Sequence, residues 1–330
     1  MKITFAGLVD LQVNGFAGVD FNTPGHAPEQ IRKALDAMRS TGVTRCLPTL
    51  ITSSLEHFAA CTRTILACAD PAIAGLHMEG PYISPADGAR GAHPQAHVAP
   101  ASIEDFQRRQ EAAGGHIRLV TLAPETPNAL KLTEYLVAHN IRVAIGHTAA
   151  TREQIRDGIR AGATLATHLG NGCPLILPRH DNVIWEQLAA DELTASLIVD
   201  GHHLPPAVVK TMVRAKGLSR IVLVTDAIAA AAAPPGRYSL GEIAAERRAD
   251  GRVTQCGATN LAGSSLTLDD AVGNIVRFCG IALEDALSLA STQPARYLGL
   301  EPADMVEADW NSNQCHLTIS KVSADAATKK

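Results

Sequence analysis

Eight short apolar runs, separated by segments of helical periodicity, constrain the fold of this chain more than any other feature. They occupy residues 8–13, 45–50, 73–78, 117–122, 142–145, 164–168, 195–199 and 221–225. Short β-branched or apolar runs that alternate with helical patterns are the signature of repeated βα units around a parallel sheet. Those helical segments are 28–40, 55–69, 102–113, 128–139, 151–161 and 205–216. Eight such units predict a closed (β/α)8 barrel of the TIM type. A doubly wound open sheet is the competing α/β architecture, but it ordinarily takes its ligand at a Gly-rich turn. No Gly-x-Gly-x-x-Gly follows a strand here.

The 330 residues are long for a single domain but suit one barrel with an appendage. Residues 1–300 are assigned to the barrel, with a small insertion around 234–257 that opens on Pro234-Pro235-Gly236. Helical patterns at 265–279 and 283–291 follow it. The tail, 301–330, shows one weak strand candidate at 315–321 and an end expected to fray.

Composition narrows the function. With 29 basic and 33 acidic residues the net charge is −4, and no Lys/Arg block is present to attract a nucleic-acid backbone or an anionic membrane. A small molecule is the expected partner. The first residues lack the apolar core of a signal peptide and no apolar stretch reaches about 18 residues, so neither export nor membrane insertion is expected. Seven cysteines, an odd number without a Cys-x-x-Cys pair, read as reduced thiols of a cytoplasmic protein and not as a metal cage.

In a barrel of this kind the functional side chains gather at the C-terminal ends of the strands. Four candidates fall there: Glu79 after the third run, His147 after the fifth, His168 at the end of the sixth and Asp226 after the eighth. Singly, each has a plain structural reading, as a buried histidine, a loop cap or a helix N-cap. Together, Glu79, His147 and His168 have the composition of a catalytic Zn²⁺ shell with an open position, and Asp226 is left free to act on a water.

The four sites sit within a longer ordered series: Gly-Leu-Val-Asp-Leu-Gln-Val-Asn-Gly (7–15), Leu-Pro-Thr-Leu-Ile-Thr (47–52), His-Met-Glu-Gly-Pro (77–81), Thr-Leu-Ala-Pro-Glu (121–125), Gly-His-Thr (146–148), Ala-Thr-His-Leu-Gly-Asn (166–171), Asp-Gly-His-His (200–203) and Leu-Ala-Gly-Ser-Ser (261–265). From about residue 6 to 300 this series resembles the N-acetylglucosamine-6-phosphate deacetylase family of the amidohydrolase superfamily. The resemblance implies hydrolysis of the N-acetyl group of an amino-sugar phosphate, with the N-acetylgalactosamine 6-phosphate epimer or another N-acyl compound as the alternative substrate. A catalytically silent sugar-phosphate binder is the rival from a different class. By the same resemblance Glu79, His147 and His168 bind one divalent metal ion per subunit, Zn²⁺ first, with Fe²⁺, Co²⁺ or Mn²⁺ as alternatives. Asp226 is implied as general base and then acid, and His93 as the group that helps polarise the substrate carbonyl. Asn171, Gly172 and Leu261 match positions that contact the sugar, and His203 and Arg179 those that hold the phosphate. In the family the arginine comes from a neighbouring subunit, which implies a homodimer.

Strand one carries Gln12 and Asn14 where many superfamily members have His-x-His, and the fourth run ends without a bridging lysine. A single metal is therefore expected, with Gln12 beside the second position. The same absences argue against a dihydroorotase or a hydantoinase. The chain starts almost on the barrel, so the family's small β-sandwich is expected to be reduced or absent. Gly170, Gly172-Cys173-Pro174, His180-Asp181-Asn182 and the alanine-rich stretch 227–235 depart from the family pattern on the substrate side.

Overall fold

The computed structural model describes residues 1–301 and 304–324. Eight parallel strands pair in chain order in one sheet. They are β1 (Leu8–Val13), β2 (Val43–Ile51), β3 (Leu76–Glu79), β4 (Ile117–Leu122), β5 (Arg142–Ile145), β6 (Leu165–Ala166), β7 (Thr194–Leu197) and β8 (Ile221–Leu223). The first and last strands close the ring: Val13 bridges Ala227 in parallel, the Asp226 N–H donates to the Gln12 carbonyl at 2.9 Å, and the Asn14 N–H donates to the Ala227 carbonyl at 2.7 Å. Lower in this seam a buried carboxylate links the two strands. Asp10 accepts from the Thr225 hydroxyl at 2.5 Å, and its other oxygen accepts from the Thr225 and Gln12 N–H groups at 3.3 and 3.2 Å.

Helices α1 (Pro28–Ser40), α2 (Leu55–Ala67), α3 (Ile103–Ala112), α4 (Ala129–Ala138), α5 (Arg152–Arg160), α6 (Val183–Ala189) and α7 (Pro206–Lys216) lie between the strands. Several starts follow from capping side chains that satisfy otherwise unpaired N–H groups. Ser54 accepts from the His57 N–H at 3.2 Å, Ser102 from Asp105 at 3.2 Å and Thr151 from Gln154 at 3.3 Å. α8 (Leu268–Cys279), α9 (Leu283–Ala290) and α10 (Thr292–Leu298) complete the outer layer. Neither α6 nor α10 is expected from sequence. Both are too short to display a helical period. The start of α6 depends on the Asn182 side chain accepting from the Ile184 and Trp185 N–H groups.

Residues 236–255 form a three-stranded antiparallel sheet of Gly236–Leu240, Ile243–Arg247 and Val253–Gln255. Its buried Leu240, Ala245 and Val253 join Ile51, Ile228, Ala230 and Ala262 in a small core at the barrel mouth, separate from the main one. Ala227–Ala231, the first part of the alanine-rich stretch after β8, is buried, and the turn after β1 lies against it, with the Gly18 N–H donating to the Ala229 carbonyl at 2.8 Å.

A second small antiparallel sheet joins Lys2–Ala6 to Asp304–Asn311 and His316–Ala324. The chain thus has a strand before β1, and the tail carries two strands where the sequence suggests one weak candidate at 315–321. The missed strand is readable: Val306, Ala308 and Trp310 alternate with Met305, Glu307 and Asp309, the pattern of a sheet with one wet face. The structure buries the first three. The terminal stretch expected to fray lies, from residue 325 on, outside the described residues. Among the described residues no helix is long and apolar enough to cross a membrane.

Candidate metal centre and active site

Three side chains converge at the C-terminal mouth of the barrel. Glu79 ends β3, while His147 and His168 follow β5 and β6 by two residues. His147, His168 and Asp226 all adopt positive φ, at 49°, 30° and 49°. This left-handed turn, costly for a residue with a Cβ, takes the chain out of the ladder at the strand end. β6 and β8 stop earlier than the apolar runs at 164–168 and 221–225 suggest.

One atom each of Glu79, His147 and His168 lies within 4.8 Å of the others, and all three residues are buried. The Nε2 atoms of His147 and His168 stand 3.2 and 3.1 Å from Glu79 Oε1 and 3.1 Å from each other. His147 donates its Nδ1–H to the Ala89 carbonyl at 2.9 Å. That bond leaves a lone pair on Nε2 aimed at this point. His168 Nδ1 is buried with no partner. Nitrogen lone pairs and a carboxylate converging at this spacing repel one another unless a cation lies among them, so the donor set fits a metal ion.

Asp226 faces this centre across two amides. Gln12 Nε2 donates to Glu79 Oε1 at 2.8 Å and to Asp226 Oδ1 at 3.2 Å, and Asn14 Nδ2 donates to the same Asp226 oxygen at 2.7 Å. Gln12 therefore stands between the two carboxylates and donates to both. Burial, and then the Glu79 charge, push Asp226 up to about 6. His93 lies on the other side, its Nε2 3.8 Å from Glu79 Oε2 and its ring centroid 4.2 Å from that of His147. Thr52 occupies His93 Nδ1, its N–H donating at 3.4 Å and its hydroxyl lying 2.8 Å away, an arrangement that favours the ring proton on Nε2, facing the centre. Burial holds His93 well below the usual imidazole range, so it faces the site as a neutral donor.

These groups line a cavity of about 840 Å³, whose wall also includes Asn171, Gly172, His203 and Leu261. Gly172 has φ of 55°, and a Cβ there would stand 3.0–3.2 Å from ring atoms of His147 and His168. His203 donates Nδ1–H to Asp200 at 2.7 Å, which turns its Nε2 away from Asp200. Arg179 is different. It is exposed and does not line the cavity, although its loop neighbours Leu175 and Leu177 do.

Several residues that shape the site do not stand out in the sequence. Thr52 and Asp200 belong to the quoted motifs, and Asp200, three residues before His203, is a legible partner. Ala89 acts through its backbone carbonyl, which leaves no trace in residue type.

A parallel barrel with a Glu-His-His cation site at its C-terminal mouth defines an amidohydrolase. A model described as the amidohydrolase family matches residues 3–308, and the chain belongs to that family. It is 38% identical over 316 residues to an N-acetylglucosamine-6-phosphate deacetylase of Bos taurus, covering 89% of this chain and 74% of the relative. It is 35% identical over 299 residues to an N-acetylgalactosamine-6-phosphate deacetylase of Escherichia coli O157:H7, covering 89% and 77%. Among solved structures, the N-acetyl-D-glucosamine-6-phosphate deacetylase of Mycobacterium smegmatis superposes with a TM-score of 0.86 at 30% identity, over 98% of this chain and 86% of that one.

Proposed function

We propose that this chain is a hydrolase that removes the N-acetyl group of an amino-sugar 6-phosphate, N-acetylglucosamine 6-phosphate first. The observation that carries the reading is the cation site of Glu79, His147 and His168 with Asp226 and His93 on either side of it. The Escherichia coli relative, at comparable identity, favours the galactosamine epimer as the second reading.

Zn²⁺ is the ion proposed first for this N/O donor set, and when bound it supplies Lewis acidity to the acyl carbonyl and acidifies a water toward neutral pH. Asp226 takes the proton from the attacking water, whose oxygen bonds to the acyl carbon. The His93 Nε2–H donates to the acyl oxygen as negative charge develops there. Asp226 then returns the proton to the departing nitrogen as the C–N bond breaks, leaving acetate and a free amine.

Asn171, Gly172 and Leu261 would hold the sugar, and His203 the phosphate. Arg179 is proposed to reach the cavity of a second copy in a homodimer. Its exposure supports this, as do Leu175 at 85% and Ile176 at 91% exposed on the same loop, and the half-exposed Trp185, which donates its Nε1–H to the Arg179 carbonyl at 3.2 Å. Apolar side chains grouped in this way mark an interaction surface. Seven free thiols suit the cytoplasm.

The test is acetate release from a panel of N-acetylated sugars and sugar phosphates, with metal content measured on the same sample. One tightly held divalent ion per chain and a preference for phosphorylated substrates are expected. Protein that binds no metal and releases no acetate would instead be the non-catalytic binder, and equal cleavage of unphosphorylated sugars would remove the phosphate assignment.

A further inference from the structure

Leu240 is a side chain carried into the cavity by the small insertion sheet. It is 4% exposed, lines the cavity wall and packs in the same small core as Ile51. The residues on either side of it are held by one buried carboxylate: Asp20 Oδ2 accepts from the Ser239 hydroxyl at 3.0 Å and from the Gly241 backbone N–H at 2.8 Å. Asp20 is itself fixed by the Asn22 N–H at 2.9 Å and the Thr23 hydroxyl at 2.9 Å. A leucine flanked by two anchored residues forms a rigid wall, not a mobile flap.

The wall stands beside the reacting centre. Ile51 pairs with Glu79 across β2 and β3, and the next residue, Thr52, bonds to His93. Ala92, immediately before His93, packs against the same apolar cluster. Ile51, Ala92 and Leu240 therefore form a continuous apolar surface on the His93 side of the cavity. The polar residues proposed for the sugar and phosphate, Asn171 and His203, follow β6 and β7, on the opposite side of an eight-stranded ring from β2. An acyl carbon held between Asp226 and His93, with its amine directed toward β6 and β7, has its alkyl substituent turned to this apolar surface.

We propose that Leu240, backed by Ile51, gauges the acyl chain, admitting acetyl and rejecting longer N-acyl groups. The inference rests on the deacetylase reading and adds a determinant of acyl length to it. One methylene more or less in a hydrophobic pocket changes kcat/KM by about 10–200-fold.

The experiment compares metal-loaded wild type, Leu240→Ala and Ile243→Ala on N-acetyl-, N-propionyl- and N-butyrylglucosamine 6-phosphate. Ile243 packs in the same small core but does not line the cavity, so its truncation reports on loosening of the sheet alone. The propionyl-to-acetyl ratio of kcat/KM is expected to rise about tenfold or more in Leu240→Ala and to stay at the wild-type value in Ile243→Ala. If Leu240→Ala fails to hold metal or to fold, Leu240→Val makes the same comparison with a smaller volume change. A ratio unmoved in folded, metal-loaded enzyme overturns the proposal, as does an equal rise in Ile243→Ala. Wild type that releases no acetate from any N-acetyl sugar phosphate overturns the deacetylase reading itself, and this inference with it.

Discussion

Replacing Asp226 with asparagine removes a proton acceptor while preserving the shape of the site. The carboxylate oxygen Oδ1 accepts from Gln12 at 3.2 Å and from Asn14 at 2.7 Å, so the asparagine must place its carbonyl there. Its NH2 group then occupies the other position, and a donor replaces the base. Metal binding should survive, because Glu79, His147 and His168 form the site without this residue. General acid–base transfer is worth about 10²–10⁴-fold, so turnover should fall by at least about 100-fold. The assay is kcat for acetate release on a sample whose metal content and melting temperature match wild type. Turnover within about threefold of wild type in metal-loaded Asp226→Asn would refute the assignment of Asp226 as the proton-transfer group.

Three other outcomes follow from the same geometry. Asp226 works when ionised, so kcat/KM should rise with pH through its titration. Because a cation beside Glu79 offsets that residue's repulsion, the acid limb is expected at or below about 6, and a limb well above neutrality would contradict it. Gly172→Ala places a Cβ 3.0–3.2 Å from the His147 and His168 rings in a left-handed backbone. Competition with a chelator should then show about tenfold or greater loss of metal affinity. Asp10 is pushed by burial from 3.8 up to about 7, so the folded state holds its proton more tightly than the unfolded chain. Its contribution is full below pH 3.8 and is lost as pH rises through about 7. Denaturant melts of wild type should carry this loss across that window, and Asp10→Asn should abolish it.

The repeated βα pattern is enough to specify the barrel, because short, largely apolar runs recur eight times and most of the crossover helices leave their own period. Strands 8–13, 117–122 and 142–145 and helix 28–40 are legible to the residue. Glu79, His147, His168 and Asp226 stand out because strand-end position in a barrel is itself a prediction of convergence. Helices α6 and α10 are invisible, being shorter than the window in which a period can be recognised. The pairing of Lys2–Ala6 with Asp304–Asn311 joins opposite ends of the chain, and no local signal announces such a partner.

Residue types and their order along the chain thus determine the architecture and the chemistry of the site: which side chains can donate to a cation, and which carboxylate is left over. The tertiary structure alone decides how those groups are aimed. The Ala89 carbonyl sets the proton on His147, Thr52 orients His93 through its Nδ1, and the Gln12 and Asn14 amides turn Asp226 and keep it apart from Glu79. It also decides that Leu240 faces the cavity and that Arg179 does not. Such choices depend on distances of a few ångströms between segments remote in sequence, and those distances exist only once the ring of strands has closed.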